Sequence, residues 1–360
     1  MIMMDLKKRR AKRLITAIVA DLLVLGVFLG VFSYFHFLRE RTYEPRALSA
    51  PAPVVEAAAS SPAVSTKSED AQSNDATPEP DASTPAPEVI DTGLLGGKFA
   101  EKFTTGEVVQ TEDSYRSANV SIEMTKVVTG TESKPITYYV ADIYIKDVSS
   151  FRTAVALDYR EHNTGTRKNV MSTLQLSQLV ESIVAISGDN FAYHQSIAVR
   201  NGIEWENKLP VYGDICVLYY DGTMETYPQT IKRADVEAIY EKNPYHIWTF
   251  GPELLIDGQV PTRFANSKAN PLAAIGYYEP GHYCFILVDG RQKGYSWGMT
   301  YPELAQVLYD LGCKVAFNLD GGDTAVMTFG GQWRSQPQDS SPRDTSDILY
   351  IGEPLAAGGQ

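Results

Sequence analysis

Aromatic and aliphatic residues alternate with smaller ones over Tyr138-Tyr139-Val140-Ala141-Asp142-Ile143-Tyr144-Ile145, the period expected of a half-buried strand. Short apolar runs predict further strands over 184–186, 215–220, 224–227, 285–288 and 315–319, and 324–329 alternates again. Helical spacing over 173–182 places Leu176, Leu179, Val180 and Ile183 on one face, and 234–242 reads as a short exposed helix. A third helix is punctuated at both ends. Thr300 caps it, Glu303 completes a capping box, Leu304, Val307, Leu308 and Leu311 form its buried face, and Gly312 stops it. Asn201-Gly202 and Asp221-Gly222 are turn residues between apolar runs, as in hairpins. Repeated hairpins around a few helices, without regular β-α alternation, predict an α+β domain with a mixed or largely antiparallel sheet.

The first hundred residues follow different rules. Six basic residues and Asp5 give 1–13 a charge of +5, and 14–38 is apolar with Asp21 as its one charged residue. That run is long enough to cross a bilayer as a helix, and the basic flank predicts a cytoplasmic amino terminus with the rest of the chain outside. The sequence around Phe35 to Arg41 is a poor cleavage site, which favours an uncleaved anchor. Segment 39–97 is rich in Pro, Ala and Ser; between Pro45 and Pro87 it holds eight prolines and no aromatic residue, so it reads as a disordered tether. The folded domain is expected over 98–357.

The net charge of −12 becomes −17 once the basic 1–13 segment is set apart (−12 − 5), and no basic stripe interleaves with aromatics. Nucleic acid is therefore excluded as a partner. Cys216, Cys284 and Cys313 all read as strand core positions; an odd, scattered set is neither a metal motif nor a disulfide framework. No cofactor or metal site is predicted. His194 is the one histidine near the chemistry described next.

Asp320-Gly321-Gly322-Asp323 follows the apolar run 315–319. Two carboxylates on a glycine turn at a strand end can move protons beside backbone amides that approach an anion closely, although the same residues also make ordinary hairpin turns. Similar strand-end groups occur at Ser187-Gly188-Asp189-Asn190 and Val288-Asp289-Gly290-Arg291, and Arg343-Asp344-Thr345-Ser346-Asp347 precedes a last strand. Arginine suits a phosphate clamp because its planar fork meets two oxygens at once. Elbow, phosphate-loop and zinc-helix signatures are lacking.

Together with Asn270-Pro271-Leu272-Ala273-Ala274-Ile275-Gly276 and Val199-Arg200-Asn201-Gly202, these segments resemble, in order and spacing, the phosphodiester glycosidase family, which includes the lysosomal uncovering enzyme and bacterial exopolysaccharide-associated proteins. The resemblance implies hydrolysis of sugar-1-phosphodiester linkages in envelope or exopolysaccharide glycans. Asp320 and Asp189 are the expected acid and base. Arg343, Gly321, Gly322, Asn318, Ser346, Asp347, Arg200 and Arg291 are the expected substrate-binding residues, and an Arg343–Asp347 salt bridge is the structural alternative for that pair. Two departures from the family pattern stand out: Leu272 where arginine is common, and Asp323-Thr324 where glycine and serine are common. The first supports a second reading, a module that binds glycan without hydrolysing it.

Overall fold

The computed structural model describes residue 95 and residues 98–156, 170–191, 196–264, 268–338 and 342–354. The expected anchor at 14–38 and nearly all of the expected tether lie outside these residues. Among the described residues no helix is long and apolar enough to cross a membrane.

Among the described residues three sheets carry the fold, and every strand pairing in them is antiparallel, which resolves the mixed-or-antiparallel expectation. The largest, of eight strands, centres on Lys134–Ile145, His282–Val288, Leu272–Glu279 and Val315–Leu319 in that spatial order. A five-stranded sheet holds Asp214–Tyr219, Pro244–Phe250 and Ile197–Arg200; another holds Met327–Phe329, Val184–Ser187, Asp347–Ile351 and Phe151–Val155. Phe151, Trp248, Phe285, Phe317, Ile186 and Leu349, drawn from all three, share one buried cluster. Burying side chains of this size, at about 1.5–3 kcal/mol each, is the main force holding the sheets together.

Three α-helices flank the sheets among the described residues. Thr173–Leu179 begins at a capping box made by Ser172 and Gln175. Its run ends three residues before the expected limit, and Leu179 is 40% exposed rather than buried. Arg233–Glu241 buries only Val236 and Ile239. Tyr301–Asp310 has the expected Thr300/Glu303 box and packs Leu304 and Leu308 against Leu254, Leu272 and Met299. Leu311, expected on the buried face, is 40% exposed because the helix has already turned out at its carboxyl end.

The segment after Val315–Leu319 departs most from expectation. Instead of folding back as a hairpin, the chain passes through a 3-10 turn at Gly322–Thr324 and joins a different sheet as Met327–Phe329. Asp320 to Asp323 is thus the crossing point between two sheets. Cys313 also differs: it lies in the turn before the strand, with its buried thiol 3.8 Å from that of Cys284, while Cys216 is buried elsewhere.

Strand direction gives the large sheet two ends. Val288, Leu272 and Leu319 lie at one; Glu279, His282 and Ile145 lie at the other. Leu95 is tied to this second end, its amide donating to the Lys146 carbonyl and its side chain packing beside Gly281 and Gly222.

Candidate active site

All the motif segments meet at the first of those ends. The Asp320 amide donates to the Gly188 carbonyl at 3.0 Å, and the Ser187 hydroxyl donates to the Asp320 carbonyl at 2.9 Å, which fastens one strand end to the other. The Gly322 amide donates to the Pro271 carbonyl at 2.9 Å. Here glycine is required at the neighbouring position, since a Cβ on Gly321 would stand 2.6 Å from the same carbonyl oxygen. The Arg343 amide donates to the Asp323 carbonyl at 2.9 Å.

Side chains continue these links on the outer rim. Arg343 Nη2 donates to Asp320 Oδ2 at 2.8 Å, with the guanidinium 53% exposed and the carboxylate 9%. Arg291 Nη1 donates to Asp323 Oδ1 at 2.8 Å and its Nη2 to Asn270 Oδ1 at 3.0 Å. The rim therefore presents two arginines, each next to a carboxylate, around a glycine turn. A bound anion would compete for those guanidinium groups with the carboxylates already there.

Beneath the rim lies a second charged group that is wholly interior. Arg200 Nη2 sits 2.6 Å from Asp189 Oδ1 and 3.3 Å from Asp347 Oδ2, and none of the three side chains is more than 1% exposed. The Thr249 amide donates to the other Asp189 oxygen at 2.7 Å, and the Asn190 amide donates to Asp347 Oδ1 at 3.1 Å. Two carboxylates share one cation here. Burial first, and then the negative charge of Asp189, push Asp347 up to about 8 against the pull of Arg200.

Residues 181–352 match the family model described as phosphodiester glycosidase. Residues 181–352 form a domain of the phosphodiester glycosidase family. Its fold is shared with the solved catalytic domain of zebrafish N-acetylglucosamine-1-phosphodiester alpha-N-acetylglucosaminidase, auto-inhibited by its pro-peptide: TM-score 0.54, 18% identity, 69% of this chain and 89% of that one. The SPbeta prophage-derived uncharacterized protein YomE of Bacillus subtilis (strain 168) is 25% identical over 239 residues, which are 61% of this chain and 37% of that protein. The chain thus aligns with little more than a third of the length of that relative.

Within this phosphodiester glycosidase domain the expected site residues divide into two sets. Asp320, Arg343, Arg291, Gly321 and Gly322 are at the rim. Asp189, Arg200, Asp347, Asn318 and Ser346, expected to act directly, are interior, each at most 1% exposed. Some of their polar atoms bond the frame: Asn318 Nδ2 donates to the Gly251 carbonyl at 2.7 Å, and Ser346 Oγ donates to Asp347 Oδ1 at 3.3 Å. The Gly322 amide, expected to face a phosphoryl oxygen, is likewise taken by Pro271. Arg343 pairs with Asp320 rather than Asp347. Leu272 is 4% exposed and packs in the apolar cluster under the helix Tyr301–Asp310, so its side chain does not line the rim. His194 lies outside the described residues. Among the described residues no three His, Cys, Asp or Glu side chains gather as a metal set.

Two groups in the phosphodiester glycosidase domain were not singled out from sequence. Asp289, read as part of a turn, is 2% exposed, accepts from the Tyr295 hydroxyl at 2.7 Å and from the Gln336 amide at 3.0 Å, and is pushed up to about 6 by burial. Its signal was available, because Asp-Gly at a strand end recurs at Asp320-Gly321. Tyr301, partly buried, has its hydroxyl pKa raised by burial and then by the charge of Asp320. Nothing in its local sequence marks it, since its nearness to Asp320 is purely tertiary.

Proposed function

We propose that the protein hydrolyses sugar-1-phosphodiester linkages at the Asp320 rim, with cell-envelope or exopolysaccharide glycans as the substrate class. The observation that carries this reading is the Asp320–Arg343 pair, a largely buried carboxylate and an exposed guanidinium set on a glycine turn in a domain of this family. Arg343 supplies two-pronged recognition of the phosphodiester oxygens. Released from Arg343 by the incoming anion, Asp320 is placed to transfer a proton at the scissile linkage. Arg291 is a second cation on the same turn, balanced by Asp323. The Asp189–Arg200–Asp347 group supports this arrangement from below, because it fixes the strand end that holds Asp320 by its backbone.

The reading extends to place. A basic 1–13 segment and an apolar 14–38 segment support a membrane-anchored protein whose domain works outside the cytoplasm. Release of a chromogenic alcohol from a sugar 1-phosphodiester by the purified protein tests the chemistry. Turnover that disappears in Asp320→Asn supports it, and binding of the same compound without any release would favour the glycan-binding module instead.

A further inference from the structure

Arg152, on the strand Phe151–Val155, is 8% exposed. It pairs across the strands with Tyr350, while the Gly352 amide donates to the Ser150 carbonyl at 3.0 Å. Since Phe151, Leu349 and Ile351 point into the shared core, Arg152 and Tyr350 stand on the opposite face of that sheet. The guanidinium lies over the Tyr350 ring at 5.1 Å, and it rests so close to Gly352 that any Cβ there would overlap Nη2. Its Nε and Nη1 atoms are buried and have no acceptor, and among the described residues it forms no ion pair. The Ser150 hydroxyl, wholly buried at the end of the 3-10 turn that leads into the strand, also has no partner.

Leaving a buried guanidinium without a counter-charge is unfavourable, and so is leaving its N–H groups without acceptors. Tyr350 and Tyr245 do not relieve this: burial raises both phenols far from ionisation, even with the Arg152 cation pulling the other way. Tyr350 offers its ring face and its hydroxyl oxygen to the guanidinium, which still leaves Nε and Nη1 without acceptors. We propose that Arg152 anchors a second anion site that takes a small oxyanion, a phosphate or a carboxylate, on the unpartnered N–H groups of Arg152 and the Ser150 hydroxyl. Little of the guanidinium reaches the surface, so the ligand group is small or the terminus of something larger. The chain's net charge of −12 would repel anions in general, and this site works by local geometry against that field.

The site lies toward the Gly352 end of its strands, whereas Asp320 is fastened at the Gly188 end, and it is tested without any assay of turnover. Thermal unfolding of the full protein is followed while inorganic phosphate is raised from roughly 0.1 to 10 mM, with sodium acetate and sodium chloride series at matched ionic strength. Wild type and Arg343→Ala should both gain roughly 2–6 °C in phosphate, and the gain of Arg343→Ala should vanish when Arg152→Met is added to it. An equal gain in acetate marks carboxylates as within the class; a gain in phosphate alone restricts it to phosphate. The proposal is overturned by the absence of any shift beyond chloride in wild type, or by an undiminished shift when Arg152→Met is added to Arg343→Ala. Should that double variant fail to fold, phosphate titration calorimetry on wild type and Ser150→Ala decides: a several-fold weaker affinity in the variant is expected, and equal affinity rejects the site.

Discussion

Asp320 and Arg343 are 23 positions apart (343 − 320), yet Nη2 of the arginine meets Oδ2 of the aspartate at 2.8 Å, and the Arg343 amide also caps the turn at Asp323. The two ends of the catalytic proposal therefore hold each other in the free protein.

Asp320→Asn keeps the shape of the side chain and the backbone bonds to Ser187 and Gly188. Turnover of a sugar 1-phosphodiester should fall by roughly two to four orders of magnitude, with the melting temperature little changed. Asp323→Asn is the matched comparison. It removes the partner of Arg291, so activity should persist or rise; equal harmlessness of the two changes would reject Asp320 as the reacting acid.

Arg343→Lys retains a charge but loses the planar fork. Its effect should appear chiefly as a raised KM for phosphodiester substrates, measured beside an uncharged aryl glycoside, for which little change is expected. A parallel loss on both substrates would mean that Arg343 serves the frame rather than the anion.

Gly188→Ala tests how tightly the interior charges are set. A Cβ at this position would stand 2.5 Å from the Asp347 carboxylate, which is itself pinned by Arg200 and Asn190. Overpacking against a pinned carboxyl group should cost about 1–3 kcal/mol in urea unfolding. An unchanged midpoint would show that Asp347 moves freely.

Stability should depend on pH in a definite direction. Burial holds Asp347 at about 8 and Asp289 at about 6, both above the ordinary carboxyl value, so the folded state binds more protons than the unfolded one across that interval. Stability contributed by these groups is present at about pH 4 and declines as pH rises to about 8, by at most about 1.4 kcal/mol per pH unit for each group. Asp347→Asn should flatten the upper part of that decline in a series of urea titrations. A wild-type profile rising over the same interval would contradict the assignment.

Local rules carried the sequence reading far in some places. The strand Val315–Leu319 and the Thr300/Glu303 cap follow from apolar runs and capping chemistry, which act within a few residues. The destination of the chain after Gly322 does not: whether 327–329 pairs with 315–319 or with Val184–Ser187 is decided by distant partners. The division of the acids is similar. Asp189 and Asp320 have nearly the same local setting, a carboxylate beside glycine at a strand end, but Arg200 arrives from another sheet and seals Asp189 inside. Periodicity carries no trace of that. Leu179 and Leu311 likewise lie where a helical face runs past the edge of what it covers.

The anchorage of Leu95 has a mechanical meaning. The polypeptide joins the domain beside Gly281, and the Asp320 rim lies beyond the other end of His282–Val288, whose seven residues span roughly 20 Å. Leu95 and the rim therefore sit at opposite ends of the central strands, so a bulky label or a surface linkage attached beside Leu95 would leave the rim unobstructed.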